Sequence, residues 1–199
     1  MVIAKTLLQL AGASQEPLKV SQSVLLLIDA QREYLDGHLP LTRIGPALEA
    51  CAALLGAARS AGSTIIHVQH KGRPGGLFDP ETKNYDLCDE VAALKGEIRI
   101  TKGLPNAFAG TSLDAELKKR EQKNLIIAGF MTHMCVSSTA RAALDLGYST
   151  TVVAPACATR DLPDGQGGVV AAETLHQAEL AALSDRFAII ARSATDVVD

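Results

Sequence analysis

The chain has 199 residues, a length that accommodates one domain with a full hydrophobic core. Its 47 % hydrophobic content, with aromatics at only 4 %, is the composition of Ala-rich helices on a Val/Ile/Leu sheet. A net charge of −3 offers no basic excess for nucleic acid, and no apolar run reaches the roughly 18 residues needed to span a membrane.

The opening stretch MVIAKTLLQLAGASQ carries small residues like those before a signal cleavage site, but only one lysine and too short an apolar run. Residues 1–22 therefore read as the leading segment of a cytoplasmic protein, and residues 23–199 as a single domain. Ser23 to Gln31, SVLLLIDAQ, is a short apolar run ending in a carboxylate, the pattern of a strand buried on both faces. Helical spacing follows from Thr42 to Ala61, with Gly62 as its stop. A second strand, Thr64 to Gln69, gives way at His70 to the Gly- and Pro-dense loop KGRPGGLFDPETKN, placed to cover a pocket. Glu97 to Thr101 forms a third strand ending at Lys102, and a helix capped near Thr111 or Ser112 comes next. The fourth strand, Asn124 to Ala128, turns at Gly129 into a helix that opens at Cys135. The fifth, Ser149 to Ala154, precedes a loop with Asp161, Pro163, Asp164 and three glycines. A helix from about Val169 to Leu183 and a strand from Arg186 to Ala191 close the chain.

Strands alternating with helices at this spacing predict right-handed βαβ units, hence an α/β fold: a Rossmann-like three-layer αβα sandwich on a six-stranded, mainly parallel sheet. Ligands of such sheets collect beyond the carboxyl ends of the strands, where strand order reverses. Asp29, Lys102 and Cys135 each lie at or just after a strand end, so three chemically capable groups converge on one edge.

Their chemistry is complementary. A helix N-terminus and a neighbouring ammonium lower a thiol pKa, so Cys135 reads as a nucleophile supported by Lys102. Asp29 is the proton shuttle; burial against LLLI raises its pKa while Lys102 lowers it, and the sequence leaves that balance open. Backbone N–H groups of Met131 and Cys135 are placed to hold an oxyanion. His133 invites a Cys/His dyad, but two residues apart across a turn the ring and sulfur are not expected to meet. Gln31, Tyr34, His70, Phe108, Phe130 and His133 stand beside these segments as candidates for lining the substrate site. Cys51 and Cys157 read as packing residues, Cys88 has no assigned role, and the four cysteines show neither disulfide nor zinc spacing.

Three segments, LLLIDAQREY, ITKGLPNAFAGTSLDAEL and AGFMTHMCVSSTARAALDLGY, resemble the motifs of the isochorismatase-like cysteine hydrolases, the superfamily of nicotinamidases, N-carbamoylsarcosine amidohydrolase and streptothricin hydrolase. The resemblance runs from about Val24 to Arg192. It implies a triad of Asp29, Lys102 and Cys135, and a non-proline cis peptide between Phe130 and Met131. Metal-binding nicotinamidases carry an Asp-x-His pair after the second strand; this chain has HVQHKGRPGG, in which His67 reads as a packed core residue. No metal and no cofactor are expected. Isochorismatases proper lack a nucleophilic cysteine at the matching position, so Cys135 favours C–N bond cleavage through a thioester over vinyl ether hydrolysis. The expected substrate is a small amide, carbamoyl compound or lactam, and the expected assembly a homodimer or homotetramer. The alternatives are a non-catalytic small-molecule binding module on the same fold and isochorismatase-type ether hydrolysis.

Overall fold

The computed structural model describes residues 3–199. Its central sheet contains β1 (Val24–Ile28), β2 (Ile65–His70), β3 (Ile98–Lys102), β4 (Asn124–Phe130), β5 (Ser149–Ala158) and β8 (Ile189–Ala191), all parallel, in the order β3-β2-β1-β4-β5-β8. Strand order reverses between β1 and β4. Every residue of β1 is buried. Strand alternation sends Leu25 and Leu27 to one face and Val24, Leu26 and Ile28 to the other.

Helix α2 (Ile44–Ser60) covers the first face with Leu48, Cys51, Leu54 and Leu55. Helices α3 (Leu113–Lys119), α4 (Ser137–Asp145) and α5 (Ala172–Arg186) cover the second with Leu113, Leu117, Ala140, Ala143, Leu180 and Leu183. The three-layer sandwich is thus as expected. Within the leading segment, α1 (Leu7–Leu10) is closed by a Thr6/Gln9 capping box and docks on α5, where Leu7 N–H donates to Asp185 Oδ1 at 2.7 Å.

The boundaries that differ most from the sequence reading lie in the last third of the chain. Strand β5 runs on to Ala158 rather than stopping at Ala154, because residues 153–156 bulge: Ile127 pairs with Val152, but Gly129 pairs with Cys157. Pro155 is the exposed residue of that bulge, where its missing N–H disrupts no ladder. Cys157, read from sequence as a packing residue, is buried within the strand itself. The last helix begins at Ala172, since Val169–Val170 (β7) pairs with Leu162–Pro163 (β6) as a small hairpin; the Asp164 carboxylate accepts from Gln166 and Gly168 within its turn. The last strand starts at Ile189, α5 having continued through Arg186.

Candidate active site

The sheet places its chemistry at the point of strand reversal. Asp29 follows β1 with φ of 50°, a left-handed conformation that aspartate tolerates better than most residues. Gly129 pairs with Ile28 on the neighbouring strand at φ 116°, and a Cβ there would lie 1.9 Å from the Ile28 carbonyl oxygen. Only glycine lets β1 and β4 approach so closely where their ends carry the reactive groups. The Phe130–Met131 peptide is cis. Cys135 does not open an α-helix as expected: it lies within a π-helical turn, Thr132–Val136, and α4 begins only at Ser137. The π-turn follows from Val136 N–H donating to the Met131 carbonyl five residues back. The Met131 N–H takes no part in the backbone hydrogen bonds around it.

Asp29, Lys102 and Cys135 meet. Lys102 Nζ lies 2.6 Å from Asp29 Oδ2, 3.3 Å from Cys135 Sγ and 3.1 Å from His70 Nδ1. An ammonium has three protons, and three acceptors surround it. All three triad residues are closed to solvent, with Asp29 0 %, Lys102 2 % and Cys135 4 % exposed. Ligand-type atoms of Asp29, His70 and Cys135 lie within 4.8 Å of one another, a spacing that a metal could bridge. Lys102 Nζ already fills that space, and a second cation there would meet its charge directly.

Burial decides the resting protonation. It raises the Asp29 pKa above 3.8, against opposing pulls from Lys102, the Cys135 thiol and the His70 backbone. Burial, together with Asp29, pushes the Cys135 thiol up to about 12 despite Lys102. The expected lowered thiol pKa is therefore corrected: desolvation of the thiolate outweighs one ammonium. His70 is held down to about 4 by burial and Lys102, so its ring is a neutral acceptor.

The substrate-lining candidates separate. Gln31 is buried and spent on backbone: its Nε2 donates to the carbonyls of His70 and Tyr85, and its Oε1 accepts from His70 N–H. It ties the end of β2 to the neighbouring loop, leaving no side-chain group for substrate. Phe130 is fully buried in the α2-side core, edge-on to Tyr34. Phe108 stacks on Tyr148, the residue before β5, with ring centroids 5.6 Å apart. Both rings are thus engaged by other aromatic side chains, Phe130 by one that borders the triad. Tyr34 and His70 do border the triad; the Tyr34 hydroxyl pKa is raised by burial, Asp29 and Cys135. His133 Nδ1 pairs with Thr159 Oγ1 at 2.5 Å, not with Cys135, and its Nε2 is buried without a partner. His67, as expected, is a buried core residue, bonded to Glu97 at 2.9 Å.

Several residues escaped the sequence reading. Arg160 follows β5 as Asp29 follows β1, with a buried, unpartnered Nε and a positive charge that lowers the His133 pKa alongside burial. The strand-end rule would have found it had β5 been carried past Pro155. Thr132 Oγ1 bonds both the Ala158 carbonyl and His176 Nδ1, fixing the π-turn to β5 and α5. Cys88, unassigned from sequence, is buried beside β1, its N–H donating to the Ala30 carbonyl.

The isochorismatase domain profile matches residues 23–195. The chain belongs to the isochorismatase family. An isochorismatase from Pseudomonas putida KT2440 superposes with a TM-score of 0.94 at 42 % identity, covering 98 % of this chain and 100 % of that one. The secreted isochorismatase effector Isc1 of Verticillium dahliae is 36 % identical over 92 % of this chain and 94 % of its own. A streptothricin hydrolase of Streptomyces noursei is 34 % identical over 85 % of this chain and 62 % of its own. This isochorismatase-family chain is accordingly a hydrolase by family, and no helix among its described residues is long and apolar enough to cross a membrane.

Proposed function

We propose that this isochorismatase-family hydrolase cleaves the C–N bond of a small amide, carbamoyl compound or lactam through a Cys135 thioester. The single observation that carries the reading is Lys102 Nζ seated between the Asp29 carboxylate and the Cys135 sulfur, at 2.6 and 3.3 Å. Asp29 takes the thiol proton as sulfur attacks the carbonyl carbon. The proton transfer itself moves the negative charge from one side of the ammonium to the other without changing the net charge of the trio, which is why a thiol with a resting pKa of about 12 can react at all, and attack then passes that charge to the carbonyl oxygen. An aspartate whose pKa burial has raised takes the thiol proton more readily than an ordinary one and holds it until the leaving nitrogen, the stronger base, accepts it. The N–H groups of Met131 and Cys135 receive the developing oxyanion. Water, deprotonated by Asp29, then attacks the thioester and releases the acid and the thiol.

Tyr34 and His70, which border the triad, supply polar contacts to substrate together with His133 and Arg160. The streptothricin hydrolase relationship supports an amide-type substrate, and Cys135 itself disfavours the vinyl ether reading. The reading includes no metal or cofactor, a homodimeric or homotetrameric assembly and a cytoplasmic setting, the last supported by four cysteines that all stay free.

A panel of amides, ureido acids and lactams, followed by amine or ammonia release, tests the proposal with intact-mass detection of the acyl-enzyme. Cys135→Ala should abolish turnover and the mass adduct while the protein melts as before. Turnover undiminished in Cys135→Ala sinks the thioester route, and no turnover of any member by the native enzyme moves the binding-module reading ahead.

A further inference from the structure

One more carboxylate is fully buried near the site, Glu33, and it has no cationic partner among the described residues. Its two oxygens are spent on backbone: Oε1 accepts from His38 N–H at 2.6 Å, and Oε2 accepts from Phe78 N–H at 2.9 Å, 45 residues away. Gly37 packs so closely on the Glu33 backbone that a Cβ would lie 2.6 Å from the Glu33 Cα, which fixes the near end of this tie.

The far end holds a residue in an unusual state. Phe78 has φ of 54°, left-handed backbone that a bulky side chain seldom adopts, and it is buried although residues 73–77 before it are exposed. The loop is pinched shut at Gly72, whose N–H donates to the Phe78 carbonyl and where a Cβ would lie 1.8 Å from the Leu77 carbonyl oxygen. The pinch and the Glu33 tie turn the ring inward. It meets Tyr34 at 5.1 Å and His70 at 5.0 Å between centroids, the two rings that border Asp29, Lys102 and Cys135.

We propose that Phe78 is a specificity-determining residue, an aromatic wall that limits the group borne on the substrate carbonyl to a small one, and that Glu33 is the positioning residue that sets this wall. This rests on Cys135 being the reactive centre. Neither hydrogen bond accepted by the Glu33 carboxylate comes from Asp29, Lys102 or Cys135, and its tie across the loop runs through the Phe78 N–H.

Two alkylating agents with the same warhead, iodoacetamide and N-benzyl iodoacetamide, measure the wall without any turnover. Their rate ratio at Cys135, read by peptide mass spectrometry, cancels changes in thiol reactivity and reports bulk alone. Phe78→Ala should raise the benzyl-to-parent ratio at least tenfold, Phe78→Leu by less, and Glu33→Gln in the same direction, because an amide keeps only one acceptor oxygen for two N–H groups. A ratio unchanged in folded Phe78→Ala or Phe78→Leu protein, or two rates rising by one common factor, overturns the proposal. An altered ratio in an enzyme that hydrolyses no amide would leave the wall standing and the hydrolase reading fallen.

Discussion

Lys102→Met tests the charge balance of the trio most directly. Methionine keeps the length and removes the ammonium, leaving Asp29 fully buried with its main stabilising charge gone. A buried carboxylate without a partner escapes by taking up a proton, and that escape sets the largest possible loss. From an ordinary pKa of 3.8, protonation at pH 7 costs 3.2 × 1.36, or about 4.4 kcal/mol; at pH 5 the same product is about 1.6 kcal/mol. The native protein already bears part of this, since its Asp29 pKa is raised. The direction is fixed: a carboxyl with a raised folded pKa contributes stability that is complete below 3.8 and lost as pH rises through the folded value. The gap between variant and native enzyme should therefore be small at pH 4 and widen toward pH 7, to at most about 4.4 kcal/mol, or about 9 to 18 °C in Tm. Urea melts at pH 4, 5, 6 and 7 measure it, and iodoacetamide labelling of Cys135 should slow at the same time, Lys102 being what lowers that thiol pKa. A loss of the same size at every pH, or faster labelling, refutes the reasoning.

Two further expectations concern the frame. Burial pushes the Glu97 carboxyl up, but hydrogen bonds from Arg59, the Leu94 N–H and His67 bring it down to about 2, so its contribution is present above pH 4.5 and lost as pH falls through about 2. Glu97→Gln should thus be less stable than native at pH 6 and indistinguishable from it near pH 2; an equal gap at both pH values in urea melts contradicts this. Gly129→Ala places a methyl 1.9 Å from the Ile28 carbonyl at φ 116°, and the combined clash and backbone strain should cost at least about 3 kcal/mol. Native-like melting of that variant would show that β1 and β4 can part without cost.

The sequence by itself determined a good deal: the α/β class, the six strands of the sheet and the convergence of Asp29, Lys102 and Cys135. These are legible because strand periodicity is local, and a parallel sheet carries every strand's end to one edge whatever lies between. Tertiary structure decided the rest. Phe108 and Phe130 were legible as site candidates from position alone, but their partners, Tyr148 and Tyr34, were not, since only packing chooses which way a ring faces. Gln31 looked available until the backbone of His70 and Tyr85 claimed its amide. Arg160 stayed hidden because Pro155 ended the predicted strand early, whereas the bulge carries the real one past it. The thiol shows the reason most plainly. Helix end and lysine are written in the sequence and argue for a lowered pKa, while the burial that raises it to about 12 exists only once the sheet, the π-turn and their covering loops have closed around the sulfur.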